Sequence, residues 1–342
     1  MGCPYGYQTM VSIRYVGRRR RSEFNLTSLY KKELTQVRLQ KVNGEELKRQ
    51  ASDESFNNIE HLPFLGRIDE SPFLRGWSHI VVAYTKAGKT ELVTRVVSEW
   101  GQMGVDVLYI SEEHQGIWRE RMSRIEEPVG HIDVVFALGE NPEGINSLII
   151  ADKAEAVVVD TARLLGIADE NDNPLIHRTL APLIAACRGS GKTLVLVHHT
   201  RKAGGSYGEG VSGGHAFSAI VDVVIEIERD KCGPQTRKLS GIGRLFSISD
   251  VLYEMGEGGV MRFLGDPKEV TLETVKERII EAMTEQWVTL TEIRSQLIDP
   301  IPSKDQLSAA LNGLANDGVI ERDPPLEAGQ RPGATYRWRG KT

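Results

Sequence analysis

The segment Ala83-Tyr84-Thr85-Lys86-Ala87-Gly88-Lys89-Thr90 has the residue types and spacing of a phosphate cradle. It closes an apolar run and opens a helical one. In that setting backbone N–H groups turn inward and the positive end of a helix faces a bound anion. Gly88 permits close backbone approach. Lys89 has the reach and charge to pair with β- and γ-phosphates, and the Thr90 hydroxyl suits Mg²⁺. Ala83 stands where the common pattern has glycine. That position ends the strand, and the phosphate contacts come from the residues after it. ATP and Mg²⁺ are the expected cofactors.

A second segment, Ala186-Cys187-Arg188-Gly189-Ser190-Gly191-Lys192-Thr193, has the same spelling. Its context is reversed: a helix over Leu175–Cys187 precedes it and a strand follows. Gly189 and Gly191 there read as a helix C-terminal turn, so Lys89 and not Lys192 is expected to bind phosphate.

Three further strand ends carry polar groups. Ala156-Val157-Val158-Val159-Asp160 is an apolar strand finishing on a carboxylate, the place from which Asp160 can help hold Mg²⁺. Leu108-Tyr109-Ile110-Ser111 leads into Glu112-Glu113, and a carboxylate there can orient or deprotonate an attacking water. Glu113 is the preferred candidate. Val195-Leu196-Val197 leads into His198-His199-Thr200-Arg201-Lys202. Adjacent strand residues point to opposite faces and no third ligand is near, so the histidines do not read as a metal pair. His199 fits better as a γ-phosphate sensor that relays to the Gly- and Ser-rich loop 203–217, which starts on cations and carries Tyr207.

These groups need a scaffold of buried strands alternating with helices. Apolar runs at His79–Tyr84, Val105–Ile110, Ile132–Leu138, Ala156–Val159 and Thr193–Val197 are nearly continuous, as in strands covered on both faces. Glu91–Trp100 carries Leu92, Val93, Val96, Val97 and Trp100 at helical spacing. The alternation predicts an α/β fold with a mainly parallel sheet. After Val221–Ile227, segments around Arg237–Gly243, Leu252–Met255 and Val260–Leu264 read as antiparallel strands at one edge. Gly265-Asp266-Pro267 breaks the chain. Beyond it lie an apolar stripe in Glu273–Thr284, capping boxes at Thr289–Glu292 and Ser303–Gln306, and a helix ending at Asp317-Gly318. Val319–Arg322 and Thr335–Trp338 then flank a Pro/Gly-rich tip. Three helices and a hairpin predict a small winged helix-turn-helix domain. The expected division is a polar, basic N-terminal extension over 1–60, with Arg18–Arg21 as a mobile tail or an arm that touches nucleic acid or a partner, an ATPase domain over 61–265 and the winged helix over 270–342.

Composition bounds the function. The 342 residues are 40% hydrophobic and 26% charged, with a net charge of −5. That balance argues against a chain that coats nucleic acid over its whole surface, but leaves room for a local basic path. Cys3, Cys187 and Cys232 are too few and too scattered for a disulfide framework or a zinc site. No apolar run approaches the ~20 residues of a membrane span, and no signal-peptide core is evident. A cytoplasmic setting without membrane contact is expected.

The series of phosphate cradle, Ser111-Glu112-Glu113, Asp160, His198-His199-Thr200-Arg201-Lys202 and Gly-rich loop resembles the RepA-like ATPases, hexameric plasmid helicases and their phage and plasmid relatives within the RecA-like superfamily. Gly76–His79 and Arg237–Arg244 share the likeness, which covers about 65–265. The resemblance implies a RecA-like core, a homo-oligomer, expected to be a hexamer, and DNA as partner. It implies that His199 couples nucleotide to DNA, that loop 203–217 faces a central channel, and that Arg244, or else Arg237 or Lys238, reaches a neighbour's γ-phosphate. The expected function is an ATP-hydrolysing DNA motor, of replicative helicase or translocase type, in plasmid, phage or mobile-element replication. A recombination mediator or regulator that does not unwind DNA is the alternative. The acids interleaved with the few cations of the winged helix also keep a purely protein-binding role open for it.

Overall fold

A computed structural model describes residues 42–51, 59–199, 215–230, 234–283, 285–297, 301–325 and 334–338. The basic run Arg18–Arg21, Arg201, Lys202 and most of loop 203–217 lie outside the described residues. The chain divides into two compact units. The first holds described residues up to Glu228 together with Leu239–Ser249 and Met255–Arg262; the second holds Arg229–Lys238, Asp250–Glu254 and the chain from Phe263 onward.

Before the core, α1 (Gly44–Ala51) is a helix where the sequence suggested only a polar extension. Its signals are local. The Asn43 side chain accepts from Glu45 N at 2.8 Å, and acids lie in the first turn and bases in the last, which suits the helix dipole.

The core then alternates as predicted: β1 (Ser78–Ala83), α2 (Lys89–Trp100), β2 (Val107–Ser111), α3 (Gln115–Met122), β3 (Ile132–Phe136), α4 (Pro142–Ala151), β4 (Ala156–Asp160), α5 (Asn173–Gly189), β5 (Thr193–His199), α6 (His215–Ile220) and β6 (Val223–Arg229). β7 (Thr236–Gly243), β8 (Ser247–Met255) and β9 (Met261–Gly265) follow, and the nine-strand order is β3-β2-β4-β5-β1-β6-β7-β8-β9. All resolved pairings from β3 to β6 are parallel. The links after β6 are too short for parallel crossovers; the turn between β7 and β8 is closed by Gly243 N donating to Phe246 O at 2.8 Å. β8 begins five residues earlier than its apolar run suggested, because its first half alternates exposed and half-buried positions and is mostly polar.

Both sheet faces are covered. Ile80, Val82, Ile110, Val159 and Leu196 pack with Ile145 and Ile149 of α4 and Leu180 and Leu183 of α5. The alternate residues Val81, Tyr109, Val158 and Val195 are also buried. That is why these strands read as continuous apolar runs. Residues 61–76 give no periodic signal, yet Leu62, Phe64, Phe73 and Leu74 are fully buried. Phe73 meets Trp100 edge-on at 5.6 Å.

His79 lies in this core. Its Nε2 accepts from Leu74 N at 3.0 Å, and burial drives its pKa down from 6.5 to about 4. The folded state holds the neutral ring, whereas the unfolded chain protonates it below 6.5. Stability is therefore full above 6.5 and lost as pH falls toward 4, by about 3 kcal/mol from this group. The melting temperature should fall between about pH 7.5 and about pH 5, and His79→Gln should flatten that slope.

The second unit carries α7 (Pro267–Ala282), β10 (Val288–Thr289), α8 (Leu290–Gln296), α9 (Lys304–Asn316), β11 (Ile320–Asp323) and β12 (Thr335–Trp338). The strands pair antiparallel in the order β10-β12-β11. Val275, Ile279, Ile293, Leu307, Leu311, Leu314 and Tyr336 close one core. Both capping boxes form, at Thr289–Glu292 and Ser303–Gln306. The sequence missed the two-residue strand β10, which is too short to show alternation. Most of the Pro/Gly-rich tip, residues 326–333, lies outside the described residues.

Candidate nucleotide site

The C-terminal ends of the parallel strands align. Register pairs Ala83 with His199, Asp160 with Val197, and Ser111 with Asp160. The groups that the sequence singled out on four strands therefore share one rim, where ligands bind in open α/β sheets.

The cradle follows β1. Gly88 precedes α2 at φ 95°, a region that disfavours side chains. A Cβ there would also come within 2.4 Å of the Met255 Cε. Lys86 adopts φ 61°, a strained conformation for a residue with a Cβ and one that clusters at functional sites. Lys89 is buried and its Nζ donates to Ala83 O at 3.0 Å, to Tyr84 O at 3.1 Å and to His199 Nδ1 at 3.0 Å. Burial lowers its pKa to about 8 against the fields of Asp160 and Glu112. Burial, then the Lys89 charge, lowers His199 to about 4, so His199 is a neutral acceptor. His198 points the other way and stacks on Phe217 at 4.3 Å.

Asp160 is almost fully buried. Its Oδ2 accepts from Thr90 Oγ1 at 2.6 Å and from Tyr109 OH at 2.9 Å. Burial raises its pKa; those two bonds oppose the rise, while the Glu113 and Glu112 charges add to it. A buried carboxylate beside two others, within hydrogen-bond distance of the Thr90 hydroxyl, is a donor set of hard oxygens that fits a divalent cation. No group of three or more His, Cys, Asp or Glu at metal-holding distance exists among the described residues, so any Mg²⁺ here would share few protein ligands with substrate oxygens, as is usual for that ion.

The two glutamates after β2 diverge. Glu112 accepts from Thr161 Oγ1 at 3.1 Å. Glu113 accepts from Arg121 Nη1 at 2.7 Å and Nη2 at 3.3 Å. Neither Arg121, Tyr109 nor Thr161 was singled out by the sequence. Each is ordinary in type; Tyr109 and Thr161 meet partners about 50 residues away along the chain, and Arg121 meets Glu113 across the start of α3 and Glu91 on α2.

Arg244 is not near the cradle of its own chain. Its Nε lies 3.2 Å from Asp222 Oδ1 and its Nη2 donates to Ala219 O at 2.8 Å. Asp222 also accepts from Ser78 N at 3.0 Å, at the start of β1. The cradle follows the opposite end of that strand, ~16 Å away at strand rise. Arg237, the alternative, is buried and donates to Pro234 O at 2.9 Å. Lys238 lies 3.6 Å from Asp250. The second Gly-Lys-Thr triplet behaves as its reversed context suggested. Lys192 is buried, and its Nζ donates to Ile149 O at 3.1 Å and to Asp152 O, closing the C-terminal end of α4.

The depressed Lys89 pKa has a measurable consequence. A phosphate held by the charged amine would raise its pKa, so binding would take up a proton above about pH 8. Affinity for a fluorescent ATP analogue should be flat below about pH 8 and fall by up to about tenfold per pH unit above it. Lys89→Arg should remove that fall.

Residues 45–205 match the family model described as an AAA domain. No curated protein matches the chain. Among solved structures, a KaiC-like protein from the hyperthermophilic archaeon Pyrococcus horikoshii OT3 is 16% identical at a TM-score of 0.46, over 60% of this chain and 99% of that one. The RadB recombinase is 16% identical at a TM-score of 0.43, over 56% of this chain and 92% of that one. The AAA-domain match and the cradle support a P-loop ATPase core, and the mainly parallel sheet is consistent with a RecA-like fold. Among the described residues, no helix is long and apolar enough to cross a membrane.

Proposed function

We propose that the chain hydrolyses ATP at this rim and uses the cycle to act on DNA as a ring-forming motor of helicase or translocase type. Lys89 and the backbone of 84–90 would hold the β- and γ-phosphates, and Thr90 and Asp160 would hold Mg²⁺. The metal would neutralise phosphate charge and relieve the buried Asp160 carboxylate. Glu113 would orient the attacking water, with Glu112 held on Thr161 beside it. In an assembly, expected to be a hexamer, Arg244 of one subunit would leave Asp222 and approach a neighbour's nucleotide.

The observation that carries the DNA reading is the 3.0 Å contact between Lys89 Nζ and His199 Nδ1. It joins the phosphate-binding amine to the last described residue before Arg201, Lys202 and the Gly-rich loop. A change at the phosphates that withdraws Lys89 from His199 has a direct route into that loop. Sequence-blind contact with a DNA backbone suits its composition.

We assign the ATPase domain to 61–265 and read 270–342 as a winged helix, on the strength of its three helices and β10-β12-β11 sheet. Among the described residues, the charge of its helices favours a protein partner over duplex DNA. The exposed residues of α9 include one cation, Lys304, and one anion, Asp305, while α7 exposes Lys268 together with Glu269, Glu273, Glu277 and Glu281.

The test is ATPase rate with and without single-stranded DNA, together with strand separation of a forked duplex. Stimulation with unwinding supports the motor, and Arg201→Ala with Lys202→Ala should remove the stimulation. Stimulation without unwinding selects the recombination-mediator reading, which the same site supports equally. A rate indifferent to DNA overturns both.

A further inference from the structure

Glu113 is fixed by a residue outside the cradle motif. Arg121 on α3 is 7% exposed. Its two terminal nitrogens address the two oxygens of Glu113, at 2.7 Å and 3.3 Å. Its Nε donates to Glu91 Oε2 at 3.1 Å. Glu91 is the residue after Thr90, in the first turn of the cradle helix α2. One guanidinium thus spans the segment after β2 and the helix that receives the phosphates. Burial works against its charge, but the bonds and fields of Glu113 and Glu91 outweigh it and hold the Arg121 pKa above its ordinary range.

The support behind Arg121 is aromatic. Its guanidinium carbon lies 5.1 Å from the Trp118 ring centroid. Trp118 packs edge-on against Tyr109 at 4.5 Å and donates from Nε1 to Ser111 Oγ at 2.9 Å. Tyr109 in turn donates to Asp160, and Ser111 Oγ also accepts from Glu113 N at 3.1 Å. Trp118 and Tyr109 thus link the guanidinium to Asp160, the carboxylate proposed to hold the cation.

We propose that Arg121 is a positioning residue that sets the orientation of the Glu113 carboxylate relative to the cradle. A carboxylate oxygen carries two lone pairs. The Arg121 fork takes one on each oxygen and leaves one on each for a water. Lysine at 121 would supply charge without the planar fork. Because Nε is anchored on Glu91, a shift of the first turn of α2 reaches Glu113 through a single side chain. The inference rests on the proposed ATP hydrolysis with Glu113 as the water-orienting group.

The experiment is a double-mutant cycle on the full chain. Arg121→Gln, Arg121→Lys, Glu113→Gln and the doubles are compared by steady-state ATPase, by affinity for a fluorescent ATP analogue and by thermal melting. Arg121→Gln should lower kcat by about 10- to 100-fold with KM little changed, as for misplacement of a reacting group. Arg121→Lys should recover part of the loss. In the Glu113→Gln background neither change should cost further kcat, because the residue acts only through Glu113. Equal loss in both backgrounds overturns the proposal, as does a rise in KM with kcat unchanged, which would mean direct contact with the nucleotide. A rise in kcat overturns it too, by making Arg121 a restraint. If Arg121→Gln does not fold, the cycle with Arg121→Lys carries the same test. Near-normal hydrolysis by Glu113→Gln alone would sink the reading of Glu113, whereas a slow Glu113→Gln with additive Arg121 losses sinks only this inference.

Discussion

Lys89→Ala should abolish ATP hydrolysis, and Lys192→Ala should leave it largely intact at temperatures well below melting. The two lysines sit in octapeptides of matching pattern, Ala83–Thr90 and Ala186–Thr193. Lys89 stands at the start of α2, after a strand, with its amine on two loop carbonyls and His199. Removing such a preorganised donor should cost about 10²–10³ in rate from transition-state charge alone, and loss of phosphate affinity adds to it. Lys192 follows the turn after a helix and leads into a strand, and its amine satisfies the carbonyls of Ile149 and Asp152. Losing it should lower stability by about 1–3 kcal/mol, the cost of unpaired buried acceptors. Melting curves and ATPase rates on both variants separate the outcomes. Loss of hydrolysis in a folded Lys192→Ala protein, with Lys89→Ala active, would reverse the assignment.

The second large effect belongs to the carboxylates after β2. Glu113→Gln should bind the ATP analogue normally and hydrolyse ATP about 10²–10⁴ times more slowly, the usual worth of a base or water-orienting group. Glutamine keeps the size and one acceptor oxygen but loses the charge. Phosphate binding should be spared because Lys89 makes its contacts elsewhere. The comparison is Glu112→Gln, whose parent side chain accepts from Thr161. If Glu112→Gln carries the slow phenotype and Glu113→Gln does not, Glu112 is the water-orienting group and the Arg121–Glu113 pair is structural.

Much of the core was legible in the chain because its signals are local. An apolar run of strand length, a Gly-Lys-Thr triplet and an amphipathic helix lie within about 20 residues of Ile80, and their order separates a cradle from a helix end. Asp160, Glu113 and His199 stood out for the same reason: each ends or closely follows an apolar strand, and a polar group placed there needs an explanation. The capping boxes at Thr289 and Ser303 are likewise written in four consecutive residues. Where burial leaves no periodic trace, the sequence was silent. Phe64 and Phe73 are buried by a segment without regular structure, and α1 is too short to show a face.

The sequence alone thus determined which strand ends carry Lys89, Glu113, Asp160 and His199 and in which order along the chain they arise; it did not point to Tyr109, Arg121 or Thr161. Only the tertiary structure decided which of them touch. Parallel pairing of β2, β4, β5 and β1 puts Ser111, Asp160, Val197 and Ala83 at one level, and the side chains beyond them sort by the partner each one meets. Glu112 and Glu113 are the same residue type at adjacent positions, yet one faces Thr161 and the other Arg121. Lys192 and Lys89 share a motif, yet one closes a helix and the other waits on His199. A side chain's charge and reach are local properties. Its partner is set by which strands lie side by side, and that is fixed by the packing of helices on both faces of the sheet.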